Sequence, residues 1–385
     1  TGNIVVSFMG EGTFGEGVTY EALNLASLLQ VPQVFVCENN FYSQSTEQHI
    51  NTAGRIDKRF DAFGIKVFVG NTWNFEELVT LAEQAIGHAR NERKPVGLIV
   101  HTYRLNAHSK GDDDRELSEI EFFRENDVLN ILRNNHNLSS TFKDIEKEVD
   151  EYFNIAFKGK NWSFNKYQGD QLPRETSSRH FPLTSFDGRV IDRINLFLIS
   201  AAENGAVILG QDIADPYGGA FKATKGISDK YPNSIISTPI SEAGLVGLAS
   251  GHALLGGQAF AEIMFGDFVT LAFDQIVNGI SKYHHMYGKN VSCPITIRMP
   301  MGGKRGYGPT HSQSLEKFLC GIDNLLVVAL NSIEDPFKTL KDASELDCPK
   351  IVIESKVDYG RRAYTPHPNL KITKTQVPLG EVYIS

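Results

Sequence analysis

The feature that most restricts the fold is an acidic residue inside a glycine loop, Gly10-Glu11-Gly12. The loop follows an apolar, strand-like run at residues 4–9 and precedes a helix-like run at residues 20–26. A strand, a glycine loop and a helix in this order are typical of a parallel α/β sheet. The chain therefore begins as an α/β protein with a polar loop at one edge of its sheet.

A second apolar run, residues 34–37, ends at Glu38 and a pair of asparagines, Asn39 and Asn40. Parallel strands finish at the same edge of a sheet, which is where ligands bind in open α/β folds. We therefore predict that Glu11 and Asn40 meet there as oxygen donors. The backbone N–H groups of the following helix start would attract phosphate at the same place.

Two classes of ligand are compatible with this loop: a dinucleotide and a metal-bound diphosphate. Gly10, Gly12 and Gly15 match a dinucleotide-binding fingerprint, which would make the chain a nicotinamide-dependent dehydrogenase with Glu38 as the ribose-binding acid. A carboxylate at Glu11, however, would repel the pyrophosphate, whereas a divalent cation would bridge the two anions. Because Mg²⁺ takes about six oxygen ligands with only one or two carboxylates, we favour a metal–diphosphate site. The dinucleotide reading and a plain structural turn stay open.

The bulk composition narrows the class of protein. The chain has 385 residues, a net charge of −8 and a pI near 5.8, which disfavours nucleic-acid and anionic-membrane partners. Its length predicts two or more domains, and no run approaches the roughly 20 apolar residues of a membrane span. The four cysteines are scattered without metal or redox spacing. We expect a cytoplasmic enzyme.

Strand-like and helix-like runs alternate through both halves of the chain, which predicts two related α/β domains, each a largely parallel sheet flanked by helices. Residues 158–189 are rich in Gly, Asn, Ser and Pro and predict a connector. Asn74 is the predicted cap of a helix over residues 75–91. A further helix is predicted over residues 270–286.

The segment from Gly10-Glu11-Gly12 to Asn39-Asn40 resembles the thiamine-diphosphate motif. Residues 10–46 resemble the alpha part of the 2-oxo acid dehydrogenase (decarboxylating) component, a family with pyruvate and branched-chain members. The resemblance implies thiamine diphosphate and Mg²⁺ as cofactors. It also implies three metal ligands, the Glu11 and Asn40 side chains and the Tyr42 carbonyl, and four alpha-part cofactor-binding residues: Gly10, Gly12, Thr13 and Arg104. Glu11 stands where many members have Asp, and some branched-chain members also have Glu.

The second half resembles the beta part of the same component. Residues 238–244 resemble its Pro-Ile-Ser-Glu segment, so that Glu242 would hydrogen-bond the aminopyrimidine ring; read alone, Glu242 is an acid at a helix start. Residues 262–278 resemble the next block and are closer to branched-chain members. Phe268 would lie beside the aminopyrimidine, and the alternative is a core phenylalanine.

Two histidines complete the implied site. Residues 103–109 resemble the alpha-part loop that ends in His-Ser, and residues 308–314 resemble the beta-part His-Ser-Gln. His108 and His311 match the active-site histidines of these loops. Imidazole changes charge near neutral pH and suits the proton transfers of decarboxylation and acyl transfer.

Alpha-like and beta-like parts in one chain imply a fused form. We predict an N-terminally incomplete alpha-like domain (1–135), a helical and irregular connector (136–186), and a beta-like domain without the family's C-terminal domain (187–385). The implied reaction is oxidative decarboxylation of a 2-oxo acid, branched-chain favoured and pyruvate possible. The implied partners are the lipoyl domain of a dihydrolipoyl acyltransferase and a second copy in a homodimer. A non-catalytic docking fragment of such a complex is the other alternative.

Overall fold

The computed structural model describes residues 2–109, 111, 113–134, 136–159, 177–179, 186–288, 290–363, 372–376 and 381–384. The chain forms two compact units, residues 1–168 and 169–385. Much of the predicted connector (160–176 and 180–185) lies outside the described residues. The expected fold class is confirmed, because each unit is built on a parallel sheet flanked by helices.

Unit 1 contains a four-stranded parallel sheet in the order β1-β2-β6-β5 and a small antiparallel pair, β3-β4. In register, Gly10 at the end of β1 pairs with Glu38 near the end of β2, so the two strands finish together as predicted. The strands of this unit are β1 (Val5–Gly10), β2 (Gln33–Asn39), β3 (Tyr42–Ser43), β4 (Thr46–Glu47), β5 (Lys66–Asn71) and β6 (Val96–His101).

The alternation of side chains along β2 explains why helices cover both faces of this sheet. Val34 and Val36 point to one face, where they pack with Ala85 of α4, and Phe35 and Cys37 point to the opposite core. The predicted cap is confirmed, since Asn74 Oδ1 accepts from the N–H of Glu77 at 3.3 Å. The helices are α1 (Gly17–Leu28), α2 (Gln48–Asn51), α3 (Ile56–Asp61), α4 (Phe75–Glu92), α5 (Leu117–Glu125), α6 (Val128–Arg133) and α7 (Ser139–Phe157).

Unit 2 contains a six-stranded parallel sheet in the order β12-β13-β11-β10-β8-β9. Its central strands are apolar on both faces, as expected for strands buried under helices. A separate three-stranded antiparallel sheet has the order β15-β14-β7. The strands are β7 (Ser177–Arg179), β8 (Val207–Gly210), β9 (Ile235–Ser237), β10 (Ala259–Glu262), β11 (Thr296–Met301), β12 (Leu326–Ala329), β13 (Lys350–Ser355), β14 (Ile372–Gln376) and β15 (Glu381–Ile384).

The helix predicted over residues 270–286 is not one regular helix. It is divided into a 3₁₀ turn (Gly266–Ala272), a π-helical turn (Gln275–Ile280) and a short helix, α11. At the start of this stretch the chain runs against β11, where a Cβ on Gly266 would lie 2.6 Å from Cγ of Met301. Such a tertiary contact cannot be predicted from the spacing of apolar residues along a helix.

The helices of unit 2 are α8 (Val190–Glu203), α9 (Ile227–Lys230), α10 (Glu242–Leu254), α11 (Tyr283–Met286), α12 (Glu316–Leu319) and α13 (Pro336–Ser344). Within the described ranges of either unit, no helix combines the length and the apolar character needed to cross a membrane.

Candidate functional site

The loop after β1 and the loop after β2 bring Glu11 and Asn40 side by side. Glu11 is the first residue of a 3₁₀ turn, Glu11–Gly15, that directly follows β1. The backbone N–H of Asn40 lies 3.4 Å from Oε2 of Glu11. The two residues predicted to meet at the edge of the sheet are therefore neighbours in the folded unit.

The Glu11 carboxylate is buried without a counter-ion. Its residue is 1% exposed, and its recorded side-chain partners are the Asn40 N–H and the Ser43 hydroxyl, which lies 3.3 Å from Oε1. No Lys, Arg or His of the described residues forms an ion pair with it. A buried charge is costly unless it is paired or binds a metal. The position is therefore chemically suited to a bound cation.

The two asparagines after β2 shape the loop that faces Glu11. Asn39 Oδ1 accepts from the N–H of Phe41, and Asn40 Oδ1 accepts from the N–H of Tyr42, both at 3.1 Å. These side-chain-to-backbone bonds form a tight turn with Phe41 at φ 69°. An amide oxygen has two lone pairs, so Asn40 Oδ1 can serve this turn and still coordinate a cation. The carbonyl of Tyr42 stays a predicted ligand.

The glycine loop is closed against the asparagine loop at one position. A Cβ on Gly12 would lie 2.6 Å from Oγ of Ser43, whereas a Cβ on Gly10 would meet nothing within 4 Å. Thr13 Oγ1 donates to the carbonyl of Gly10 at 2.6 Å and holds the turn. Close approach of Ser43 therefore requires glycine at position 12, and the space beside Gly10 remains open for a ligand.

Glu11, Asn40 and the glycine loop fit the cofactor group that the sequence implies. Among the described residues, no three His, Cys, Asp or Glu side chains form a group that could hold a metal ion. One carboxylate and one amide oxygen are nonetheless the donors that Mg²⁺ uses when phosphates and water complete its shell.

The loop that carries Arg104 and His108 is held by main-chain contacts. Arg104 donates from Nη2 to the carbonyl of Gln44 at 2.6 Å and from Nε to that of Asn106 at 3.1 Å. His108 is exposed, and across the described part of unit 1 no hydrogen bond or ring contact joins it to Glu11. The structure thus brings Glu11 and Asn40 together but leaves His108 at the surface.

A partly buried polar cluster that sequence reasoning missed ties this loop to Tyr42. The hydroxyls of Tyr42 and Tyr103 both donate to Glu119, each at 2.9 Å to Oε1. Arg115 lies over both rings and pairs with Asp113 at 2.7 Å. Burial and the Glu119 carboxylate raise the pKa of Tyr103 to about 12. The cluster could not be predicted from the sequence, because Glu119, the residue that joins its members, lies 77 residues from Tyr42.

His101, the last residue of β6, is a second residue that was not predicted to belong to a site. A cavity of about 500 Å³ opens beside Asn39 and His101, and none of the three predicted metal ligands lines it. The His101 ring stacks on Phe41 with a centroid separation of 5.5 Å, and burial lowers its pKa. An apolar strand that ends in histidine was the available signal.

In unit 2, Glu242 is the first residue of α10 and is 4% exposed. No side-chain hydrogen bond or ion pair of Glu242 is recorded with any described residue of the unit. The helix N-terminus stabilises a carboxylate there. A buried carboxylate with free lone pairs suits a ligand that offers a hydrogen-bond donor, such as a protonated ring nitrogen.

The structure brings Phe268 and His311 into contact. Their rings are T-shaped with centroids 5.1 Å apart, and the His311 ring also meets Phe265 edge-on at 4.8 Å. Helix α10, which begins at Glu242, packs against the 3₁₀ turn that carries Phe268. Three predicted residues therefore lie on neighbouring elements of unit 2.

Beneath these residues, the sheet of unit 2 contains a buried ion network. Arg298 of β11 donates two hydrogen bonds to Glu354 at 2.7 and 2.9 Å and one to Glu262 at 2.9 Å. Tyr359 donates to Glu354 at 2.6 Å. Burial raises the pKa of Glu262. The network links β10, β11 and β13 inside the core of unit 2, where side chains are usually apolar.

Comparison with known proteins agrees with this arrangement. Residues 1–159 match the family model described as dehydrogenase E1 component, and residues 196–361 match that of the transketolase pyrimidine binding domain. The pyruvate dehydrogenase E1 component subunit beta of Rickettsia conorii is 35% identical over 178 residues, which is 46% of this chain and 53% of the relative. The mitochondrial beta subunit of Chaetomium thermophilum is 40% identical over 154 residues, 40% of each chain. The alpha subunit of Rickettsia bellii is 37% identical over 159 residues, 39% of this chain and 49% of the relative.

Fold and matches together define a protein with two thiamine-diphosphate-type domains. Over residues 1–159 and 196–361 the chain is similar to the E1 component of thiamine-diphosphate-dependent 2-oxo acid dehydrogenases, and the resemblance inferred from the sequence is confirmed. It spans about half the length of the curated relatives it matches.

Proposed function

We propose that this chain catalyses oxidative decarboxylation of a 2-oxo acid with thiamine diphosphate and Mg²⁺. The observation that carries the proposal is the buried, unpaired carboxylate of Glu11 beside Asn40, at the edge where β1 and β2 end. A nicotinamide cofactor would place a second anion against that carboxylate without a cation to join them. A magnesium diphosphate supplies the missing positive charge.

The residues of the chain have distinct proposed roles. Glu11, Asn40 and the carbonyl of Tyr42 hold the metal, while Gly12 and Thr13 shape the loop beside the diphosphate. When bound, thiamine diphosphate supplies a nucleophilic thiazolium carbon and an electron sink for decarboxylation.

On unit 2, the Glu242 carboxylate would hold the aminopyrimidine by a hydrogen bond and so favour the form of the ring that acts as a base. Phe268 packs beside that ring, and His311, in contact with Phe268, moves protons near the reacting carbon. His108 and Arg104 are the proposed alpha-part contributions to substrate and cofactor binding.

The proposed acceptor of the acyl group is the lipoyl group on a dihydrolipoyl acyltransferase, and the proposed assembly is a homodimer. The four cysteines are free thiols, which suits a reducing compartment, and we propose the cytoplasm. The relative from Chaetomium thermophilum is named as a mitochondrial protein, and the matrix offers the same chemistry.

Two substrate classes follow from different observations. Glu11 and the block around Phe268 favour branched-chain 2-oxo acids, whereas the relatives described above are named pyruvate dehydrogenase subunits. We propose the branched-chain acids. Decarboxylation rates with pyruvate and with 2-oxoisovalerate at equal concentrations decide between them, and faster turnover of pyruvate would refute the branched-chain assignment.

The first experiment is a calorimetric titration of thiamine diphosphate with and without Mg²⁺. We expect binding that requires the metal, that weakens in Asn40→Ala, and that persists in Glu242→Ala while decarboxylation is lost. Binding of NADH without Mg²⁺, unharmed by Glu11→Ala, would instead establish the nicotinamide alternative. Acyltransferase binding without any metal-dependent cofactor affinity would identify a docking fragment.

A further inference from the structure

Strand β13 has a fully buried lysine at each end. Lys350 begins the strand and Lys356 directly follows it, and both residues are 0% exposed. Six residue-to-residue steps along the strand separate them by about 20 Å. Burying an ammonium group is costly unless it is hydrogen-bonded and electrostatically compensated, so each lysine must stabilise something specific.

The two lysines hold different parts of unit 2. Lys350 donates to the carbonyls of Pro294 and Leu346, at 3.3 and 2.8 Å, where the chain enters the sheet. Lys356 donates to the carbonyl of His311. Its Nζ also lies 5.1 Å from the ring centroid of Phe265, the ring that His311 meets edge-on. Lys356 therefore contacts both the backbone and the packing partner of the histidine.

A buried carboxylate holds the other end of the same segment. Oδ1 of Asp267, a residue that is 6% exposed, accepts from the backbone N–H of Gln313 at 3.1 Å and from its Nε2 at 2.9 Å. Oδ2 of Asp267 is buried without a hydrogen-bond partner among the described residues. Burial lowers the pKa of Lys356, and the charge of Asp267 opposes that effect. The two buried charges thus lie within electrostatic range of each other.

The segment between these charges needs such support. The preceding loop has positive φ at Gly302, Lys304, Gly306 and Gly308, and glycine-rich backbone loses much conformational entropy when it is ordered. The side chain of His311 is half-buried, with Thr310 Oγ1 3.0 Å from its Nδ1. Tyr307 anchors the preceding loop edge-on against Phe221 and Phe265, whereas the backbone at His311 and Gln313 is held by polar contacts with Lys356 and Asp267.

We propose that Lys356 and Asp267 are positioning residues for His311, holding the His311–Gln313 segment from its two ends so that the imidazole stays against Phe265 and Phe268. This inference rests on the proposed function only for its catalytic consequence. The geometric part concerns the chain itself. Lys350, equally buried and also bonded to carbonyls but away from His311, is the control that the structure provides.

The test compares Lys356→Met with Lys350→Met in the full chain. Without cofactor, we expect the NMR signals of the His311 ring to shift in Lys356→Met, because the edge-to-face contacts with the Phe265 and Phe268 rings, and their ring-current effect, are lost. The same signals stay in place in Lys350→Met. Unchanged His311 signals in Lys356→Met, or equal changes in both variants, would overturn the proposal.

Activity gives the second readout. A misplaced catalytic group costs up to about 100-fold in rate, so we expect kcat to fall about 10- to 100-fold in Lys356→Met and by less than about twofold in Lys350→Met. In a His311→Ala background, Lys356→Met should cost less than about twofold, because the group it positions is absent. An equal loss in both backgrounds would mean a general structural role.

Gln313→Ala is the second variant if Lys356→Met does not fold. Gln313 is exposed, and the change removes one of the two hydrogen bonds to Asp267 without emptying the core. We expect a smaller shift of the His311 signals in the same direction, and no shift would contradict the proposal. Shifted signals in a chain that does not decarboxylate would leave the positioning intact and refute the proposed function alone.

Discussion

Replacing Glu11 by glutamine removes a charge that the folded chain solvates poorly. The carboxylate is 1% exposed, and its two recorded hydrogen bonds, at 3.3 and 3.4 Å, come from neutral donors. The effective cost of burying an ion is several kcal/mol, and long bonds from neutral groups offset only part of it. The carboxamide has the same shape, and it can accept from the Asn40 N–H while donating to the Ser43 hydroxyl.

We therefore expect Glu11→Gln to stabilise the cofactor-free chain by about 1–2 kcal/mol. In a domain of this size that corresponds to about 2–8 °C in Tm. Glu38→Gln is the matched control, since Glu38 lies in the neighbouring strand β2, opposite Gly10, but is exposed. Its Tm should change by less than about 2 °C.

Scanning calorimetry with Mg²⁺ and thiamine diphosphate completes the assay. At a cofactor concentration of 100 Kd the wild type and Glu38→Gln should gain about 2.7 kcal/mol. Glu11→Gln should gain almost nothing, because the carboxylate that attracts the metal is gone. Destabilisation of the cofactor-free Glu11→Gln chain would show that the carboxylate is well solvated, and a full cofactor gain in this variant would refute its role in metal binding.

Other consequences of the structure can be measured separately. Gly12→Ala should displace the Ser43 hydroxyl, because the new Cβ would lie 2.6 Å from Oγ. The free energy of unfolding in urea should fall by about 1 kcal/mol. Gly12→Ala combined with Ser43→Gly should recover most of that loss. Burial raises the pKa of Cys37 to about 12, so Ellman's reagent at pH 8 should label the exposed Cys320 quickly and leave Cys37 unlabelled until unfolding; rapid labelling of Cys37 would contradict its burial. Burial also lowers the pKa of His101 from about 6.5, so the unfolded chain binds a proton that the folded chain does not, and stability should fall as the pH drops below about 6.5. His101→Phe keeps a ring against Phe41 and should show a smaller difference between urea midpoints at pH 7.5 and 5.5, whereas an unchanged difference would exclude His101 as a source of the pH dependence.

Local sequence patterns were enough to predict the fold class, most of the helices and strands, and the proximity of the loop after β1 to the loop after β2. The continuous apolar run in β2 and the helical spacing after Asn74 are properties of short segments, and they were sufficient to predict the strand and the capped helix. Because parallel strands must finish at one edge, two strand ends also placed Glu11 beside Asn40. The prediction of one regular helix over residues 270–286 was wrong, because the chain there winds as a 3₁₀ turn, a π-helical turn and a short α-helix.

Only the tertiary structure decided which polar groups support the predicted ones. The partners are far apart along the chain: Ser43 lies 32 residues from Glu11, Lys356 lies 45 from His311, and Tyr42 lies 77 from Glu119. Hydrophobic periodicity repeats within a segment and is readable there. A hydrogen bond between two loops depends on the order of the strands in the sheet and on where each strand ends. The spacing of residues along the sequence does not specify the partners that result.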